Sequence, residues 1–149
     1  MSKSGPITPI LIVLVNFWSF LTKTMVVQAI FYANPDGYPP IINSARVLAA
    51  ANHRVAILCH ATDTTSKVDY PPQVTVTRIS TEAHNTWRSY LNFVRRTLRL
   101  ADTNASAFVG HDMHGFLVAR LLATRYRRPL LYHCHDFAEN QADLALGGR

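Results

Sequence analysis

Apolar and polar positions along this chain fall into blocks, and each block has the length and period of one element of secondary structure. Residues 25–33, MVVQAIFYA, make a β-branched apolar run suited to a strand covered on both sides. NPDGYPP at 34–40 is rich in Pro and Gly breakers and predicts a loop. IINSARVLAAAN then puts Ile41, Ala45, Leu48 and Ala49 on one helical stripe, and HRVAILC at 53–59 returns as a second buried strand. QVTVTRIS at 73–80 alternates, which predicts a third strand nearer a sheet edge. Residues 84–101 carry Trp87, Leu91, Val94 and Leu98 at helical spacing. ASAFVG (105–110) predicts a fourth strand, GFLVARLLATRY (115–126) a helix, and PLLYHC (129–134) a fifth strand.

Strands that alternate with helices are joined by right-handed crossovers, so the pattern predicts a Rossmann-like α/β domain: a mostly parallel sheet with helices on both faces. Ligands of such sheets sit beyond the carboxyl ends of the strands. The chain concentrates its polar chemistry there. GHDMHG (110–115) follows the fourth strand, and the fifth runs from apolar Pro129–Tyr132 into His133, Cys134, His135 and Asp136. No internal repeat or low-complexity segment interrupts the pattern.

Composition narrows the classes. At 149 residues and 48% hydrophobic content the chain can build one globular core. Its 15 basic and 9 acidic residues give a formal charge of +6, which favours anionic partners without choosing among phosphates, nucleic acid and lipid. The only cysteines, Cys59 and Cys134, rule out a disulfide framework and a four-cysteine zinc site, so a reducing cytoplasmic setting is expected. Residues 1–24 stand apart as an extension ahead of a domain at 25–149. Their run ILIVLVNFWSFL is shorter than the about 20 residues that cross a bilayer, leaving a signal peptide, a mis-assigned start or a short interfacial anchor as readings.

Motifs disfavour classical dinucleotide binding and remove two other enzyme classes. NPDGYPPIIN offers one glycine, Gly37, where a dinucleotide site needs G-x-G-x-x-G after the first strand, and neither a P-loop nor a G-x-S-x-G elbow occurs. Two longer stretches, FYANPDGYPPIINSARVLAAANHRVAILC and ASAFVGHDMHGFLVARLLATRYRRPLLYHCHDFAE, resemble the N-terminal domain of family-4 retaining glycosyltransferases, enzymes with two Rossmann-like domains in the GT-B arrangement. The resemblance covers roughly 25–149. It departs from the family in Asn52, which stands where glycine is usual, and in DGYPP, which presents fewer free amides than the family's glycine pair.

The resemblance implies an acceptor-side domain whose donor-binding C-terminal domain is supplied in cis or trans, so that the chain alone transfers no sugar. It implies no cofactor beyond the nucleotide-sugar co-substrate, an acceptor that is a sugar, lipid or protein, and no nucleic acid. It carries His135 over as the catalytic histidine near the donor sugar, with Gly37, His111, Asp112 and Glu139 as substrate-binding residues. Plainer readings stand beside these. Asp112 is also expected as a helix cap, and Arg125, Arg127 and Arg128 as a solvated helix end. Arg88, Arg95 and Arg99 share one helix face, which reads as ordinary surface or as a weak peripheral contact with anionic membrane. Two rival functions remain: a metal-dependent hydrolase using His111, Asp112, His114, His133 and His135, and a non-catalytic partner module.

Overall fold

The computed structural model describes residues 24–61, 68–80 and 86–133. Within them β1 (Val26–Phe31), a 3-10 turn (Pro35–Gly37), α1 (Pro39–Ala50), β2 (Arg54–His60), β3 (Val74–Ile79), α2 (Trp87–Leu100), β4 (Ala107–His111), α3 (Asp112–Tyr126) and β5 (Leu130–His133) follow in order. The strands form one sheet in the order β3-β2-β1-β4-β5. Every pairing is parallel. The Rossmann-like α/β expectation holds, and the alternating third strand is an edge strand. The expectations for residues 1–23 and for Cys134, His135, Asp136 and Glu139 lie outside the described residues.

β1 is central, and its apolar run serves both faces because successive side chains point to opposite sides. Ala29 and Phe31 pack with Ile41 and Ala45 of α1 and with Val55, Ile57 and Cys59 of β2. Ile30 and Tyr32 pack on the other side with Phe93 of α2, Phe108 of β4 and Val118, Ala119 and Leu122 of α3. Gln28, 1% exposed on this central strand, is accommodated because its Oε1 accepts the Asp102 N–H at 2.9 Å.

Local chemistry explains most boundaries. Pro39 and Pro40 open α1, where missing donors are harmless. Asn52, just past α1, has φ 62, a left-handed conformation that asparagine tolerates and glycine prefers. That accounts for its place where glycine is usual. Thr86 caps α2 by accepting the Ser89 N–H at 3.2 Å. This cap puts the helix start at Trp87 and corrects the expected stripe: the buried residues of α2 are Ser89, Phe93 and Thr97, and Trp87 is exposed. The next helix begins at Asp112 instead of residue 115, so α3 leaves β4 without an intervening loop.

Gly110 and Gly115 make that sharp junction feasible. A methyl group on Gly110 would run into the Phe116 backbone, and one on Gly115 would run into the Ile30 carbonyl oxygen of β1. Glycine is needed at both for close approach, with no positive φ involved.

Candidate functional site at the carboxyl edge of the sheet

The carboxyl ends of β1, β4 and β5 converge with the first turns of α2 and α3, and the two faces of the sheet hold different chemistry there. On the α1 face, His111 and His133 are paired in register across β4 and β5, and their ring centroids lie 5.0 Å apart. His111 is 2% exposed and also meets Phe31 edge-on at 6.3 Å. The two imidazoles line a cavity of about 250 Å³ together with Ile41, Ser44, Val109 and Leu131. His111 is therefore a buried residue of this cavity's wall.

On the opposite face, His114 lies tilted against Tyr32 at 5.5 Å and meets Tyr90 edge-on at 5.3 Å. The chain turns between His111 and His114, and the two rings end up against opposite sides of β1: Phe31 belongs to one core cluster and Tyr32 to the other. The structure thus separates His114 from the His111 and His133 pair that a shared metal site would unite. Among the described residues, no group of three or more His, Cys, Asp or Glu side chains is arranged to hold a metal ion.

Asp112 sits between these two regions. Its φ is 56, and its Oδ1 accepts the Gly115 N–H at 2.6 Å, so the side chain satisfies an otherwise unpaired donor of the first turn of α3. Burial raises its pKa above the ordinary carboxylate value, outweighing the opposing pull of the Gly115 amide and the His114 charge. The same burial, helped by Asp112, raises the Tyr90 phenol.

Gly37 lies in the exposed 3-10 turn after β1, and a side chain there would meet nothing within 4 Å. The turn is held by two contacts. Asn34 Oδ1 accepts the Asp36 N–H at 3.1 Å, and Arg78 Nη2 on β3 donates to both Asp36 carboxylate oxygens at 2.8 and 2.9 Å. The ion pair is nearly buried, with 8% and 5% side-chain exposure. Sequence reasoning missed it, because the partners are far apart in the chain and each reads locally as something else, a turn residue and a strand residue. Cys59 nearby is inert: burial pushes its thiol up to about 12, and it packs against the Thr77 carbonyl at 3.7 Å.

An open parallel sheet with cavities at its carboxyl edge is the architecture of a Rossmann-like ligand-binding domain. Which Rossmann-like family this is follows from the sequence of the same elements: residues 43–149, running from α1 past β5, match the family described as glycosyl transferase 4-like domain, and the chain belongs to that family. No curated protein matches the chain. Among solved structures, CalG4, the calicheamicin glycosyltransferase, is similar at 15% identity and a TM-score of 0.55 over 85% of this chain. SnogD from Streptomyces nogalater, also a glycosyltransferase, aligns over 98% of this chain at 13% identity with a TM-score of 0.44. The chain spans 38% of the length of CalG4 and 33% of that of SnogD. At such identity the likeness to CalG4 is one of fold, and it agrees with the GT-B, Rossmann-like expectation. No helix among the described residues is long and apolar enough to cross a membrane.

Proposed function

We propose that this chain is the acceptor-side domain of a retaining glycosyltransferase, moving a sugar from a nucleotide-sugar donor to an acceptor hydroxyl together with a donor-binding domain in cis or trans. The observation that carries the reading is the family match over residues 43–149. In the reaction the bond from the anomeric carbon to the diphosphate oxygen breaks and a bond to the acceptor oxygen forms on the same face. The acceptor proton leaves with the departing phosphate. Positive charge grows at the ring and negative charge on the diphosphate, so fixed dipoles near the anomeric carbon lower the barrier.

His135 is the proposed contact to the donor sugar, with Gly37, His111, Asp112 and Glu139 contributing to substrate binding. Burial of His111 against His133 supports a positioning part for that ring. The chain by itself is expected to transfer no sugar, because this reading assigns the diphosphate contacts to the other domain.

The test is to assay sugar transfer from a panel of nucleotide sugars by the chain alone and after joining it to a donor-binding domain of the family. Transfer only in the joined enzyme supports the reading. Transfer by the chain alone refutes the division of labour, and no transfer by either refutes the reading. In an active joined enzyme, His135→Ala should cut turnover about 100-fold with unchanged thermal stability, the size of losing one transition-state donor. Lost stability with normal turnover per folded molecule would make His135 structural. Equal losses at His133 and His135, deepened by a chelator, would point to the metal hydrolase.

A further inference from the structure

An exposed tryptophan at the mouth of an α/β sheet asks for an explanation, since indole is the largest apolar surface a side chain can bury. Trp87 is 71% exposed in the first turn of α2. Its ring lies 5.9 Å from Tyr90, which in turn meets Tyr32 at 5.1 Å and His114 at 5.3 Å. These four rings, with Thr86 and Leu117, wall a concavity of about 690 Å³ beyond the end of β1. Small-molecule sites range over about 300–1,000 Å³.

Both tyrosine hydroxyl protons of this wall are committed: Tyr32 donates to Ser89 Oγ at 3.2 Å and Tyr90 donates to the His114 carbonyl oxygen at 3.2 Å, while Thr86 Oγ1 accepts the Ser89 N–H at 3.2 Å. What the wall offers a ligand is mainly ring faces and edges, with the Thr86 hydroxyl and the exposed imidazole of His114 as the few polar groups, enough for one ligand hydroxyl. A sugar, with hydroxyls around its ring, would leave several of them facing groups that are already paired, and each desolvated, unpaired hydroxyl is costly. A flat aromatic ring gives up little on entry and gains stacking on indole, phenol and imidazole.

We propose that the shelf formed by Trp87, Tyr90, Tyr32 and His114 binds a planar aromatic ring bearing a hydroxyl, as the acceptor of the transfer. The fate of the ring as an acceptor rests on the glycosyltransferase reading. Its binding does not.

Equilibrium dialysis of the full chain with naphthol, its saturated counterpart decahydronaphthol and methyl glucoside tests this directly. Naphthol should saturate one site, with both other probes at least ~10-fold weaker, and Trp87→Ala should weaken naphthol by ~10-fold or more, the scale of losing one stacking platform. Val47→Ser, at an exposed position on α1 away from the shelf, should leave binding unchanged. Circular dichroism confirms that each variant is folded; Trp87 is solvent-facing and its loss spares the core. Absence of saturable naphthol binding, equal binding of decahydronaphthol or the glucoside, or unchanged binding by Trp87→Ala overturns the proposal. Such a failure leaves the transferase reading standing with a different acceptor. Naphthol binding without sugar transfer in the joined enzyme refutes the transferase reading and spares the site.

Discussion

The same substitution, glycine to alanine, should have opposite effects at two positions of this edge. At Gly115 the added methyl would run into the Ile30 carbonyl oxygen, with the Ile30 carbonyl carbon at 3.1 Å and Phe31 Cα at 3.4 Å. All of these are backbone atoms of the central strand, so no side chain can swing aside and α3 must lift from the sheet. Val118, Ala119 and Leu122 ride on that helix and are fully buried, so their packing loosens with it. Overpacking costs about 1–3 kcal/mol, and a clash with main chain belongs at the upper end. Replacing a helical glycine returns about 1 kcal/mol. The net loss is about 2 kcal/mol, or about 4–8 °C in Tm at about 2–4 °C per kcal/mol for a chain of this size. At Gly37 the methyl meets nothing within 4 Å, and no described glycine has positive φ, so Gly37→Ala should be neutral or stabilise by about 0.4–1 kcal/mol. Calorimetric melting of the two variants beside the parent decides the matter. A Gly115→Ala protein as stable as Gly37→Ala would show that α3 does not need its close seat on β1.

Three further outcomes follow from particular contacts. Arg78→Met strands the buried Asp36 carboxylate and should cost about 3–5 kcal/mol in urea unfolding, most of it recovered by adding Asp36→Leu; a loss under about 1 kcal/mol would mean the pair is solvated. For Asp112 the folded pKa lies above the ordinary 3.8, so its stabilisation is complete below 3.8 and is lost as pH rises through the folded value. Asp112→Asn keeps an acceptor for the Gly115 N–H and tolerates φ 56, so its Tm should exceed the parent's at neutral pH, with the advantage vanishing below pH 3.8; no advantage at neutral pH would contradict the burial effect. Arg88, Arg95 and Arg99 are exposed on α2, which carries no acidic residue, and should give weak binding to anionic vesicles; sedimentation unchanged by high salt or by alanine at all three rejects an electrostatic contact.

Much of the architecture was legible in the chain because burial on both faces leaves a distinctive mark. VVQAIF and RVAILCH read as buried strands, and VTVTRI, with its alternation, as a strand nearer the sheet edge. Of the stripe Ile41, Ala45, Leu48 and Ala49 on α1, read from helical spacing, Ile41, Ala45 and Ala49 are buried and Leu48 is half-buried. Helix 84–101 was harder. Its periodicity admits several faces, and the Thr86 cap, a local signal available in the sequence, fixes the start that turns Trp87 outward.

Sequence alone determined the strand and helix order, the parallel sheet, and the crowding of histidines and acids near the ends of β4 and β5, because these depend on period, breakers and strand polarity. Only tertiary structure decided which of those residues meet. His111 and His114 are neighbours in the chain, yet the turn from β4 into α3 sends one to Phe31 and His133 and the other to Tyr32 and Tyr90. Arg78 finds Asp36 only because β3 is laid beside β2, and Gly115 is constrained only because α3 lies against the Ile30 carbonyl. Local pattern specifies which way a side chain points along its own element. Contact between elements depends on how the sheet brings distant segments together, and no short window of sequence contains that information.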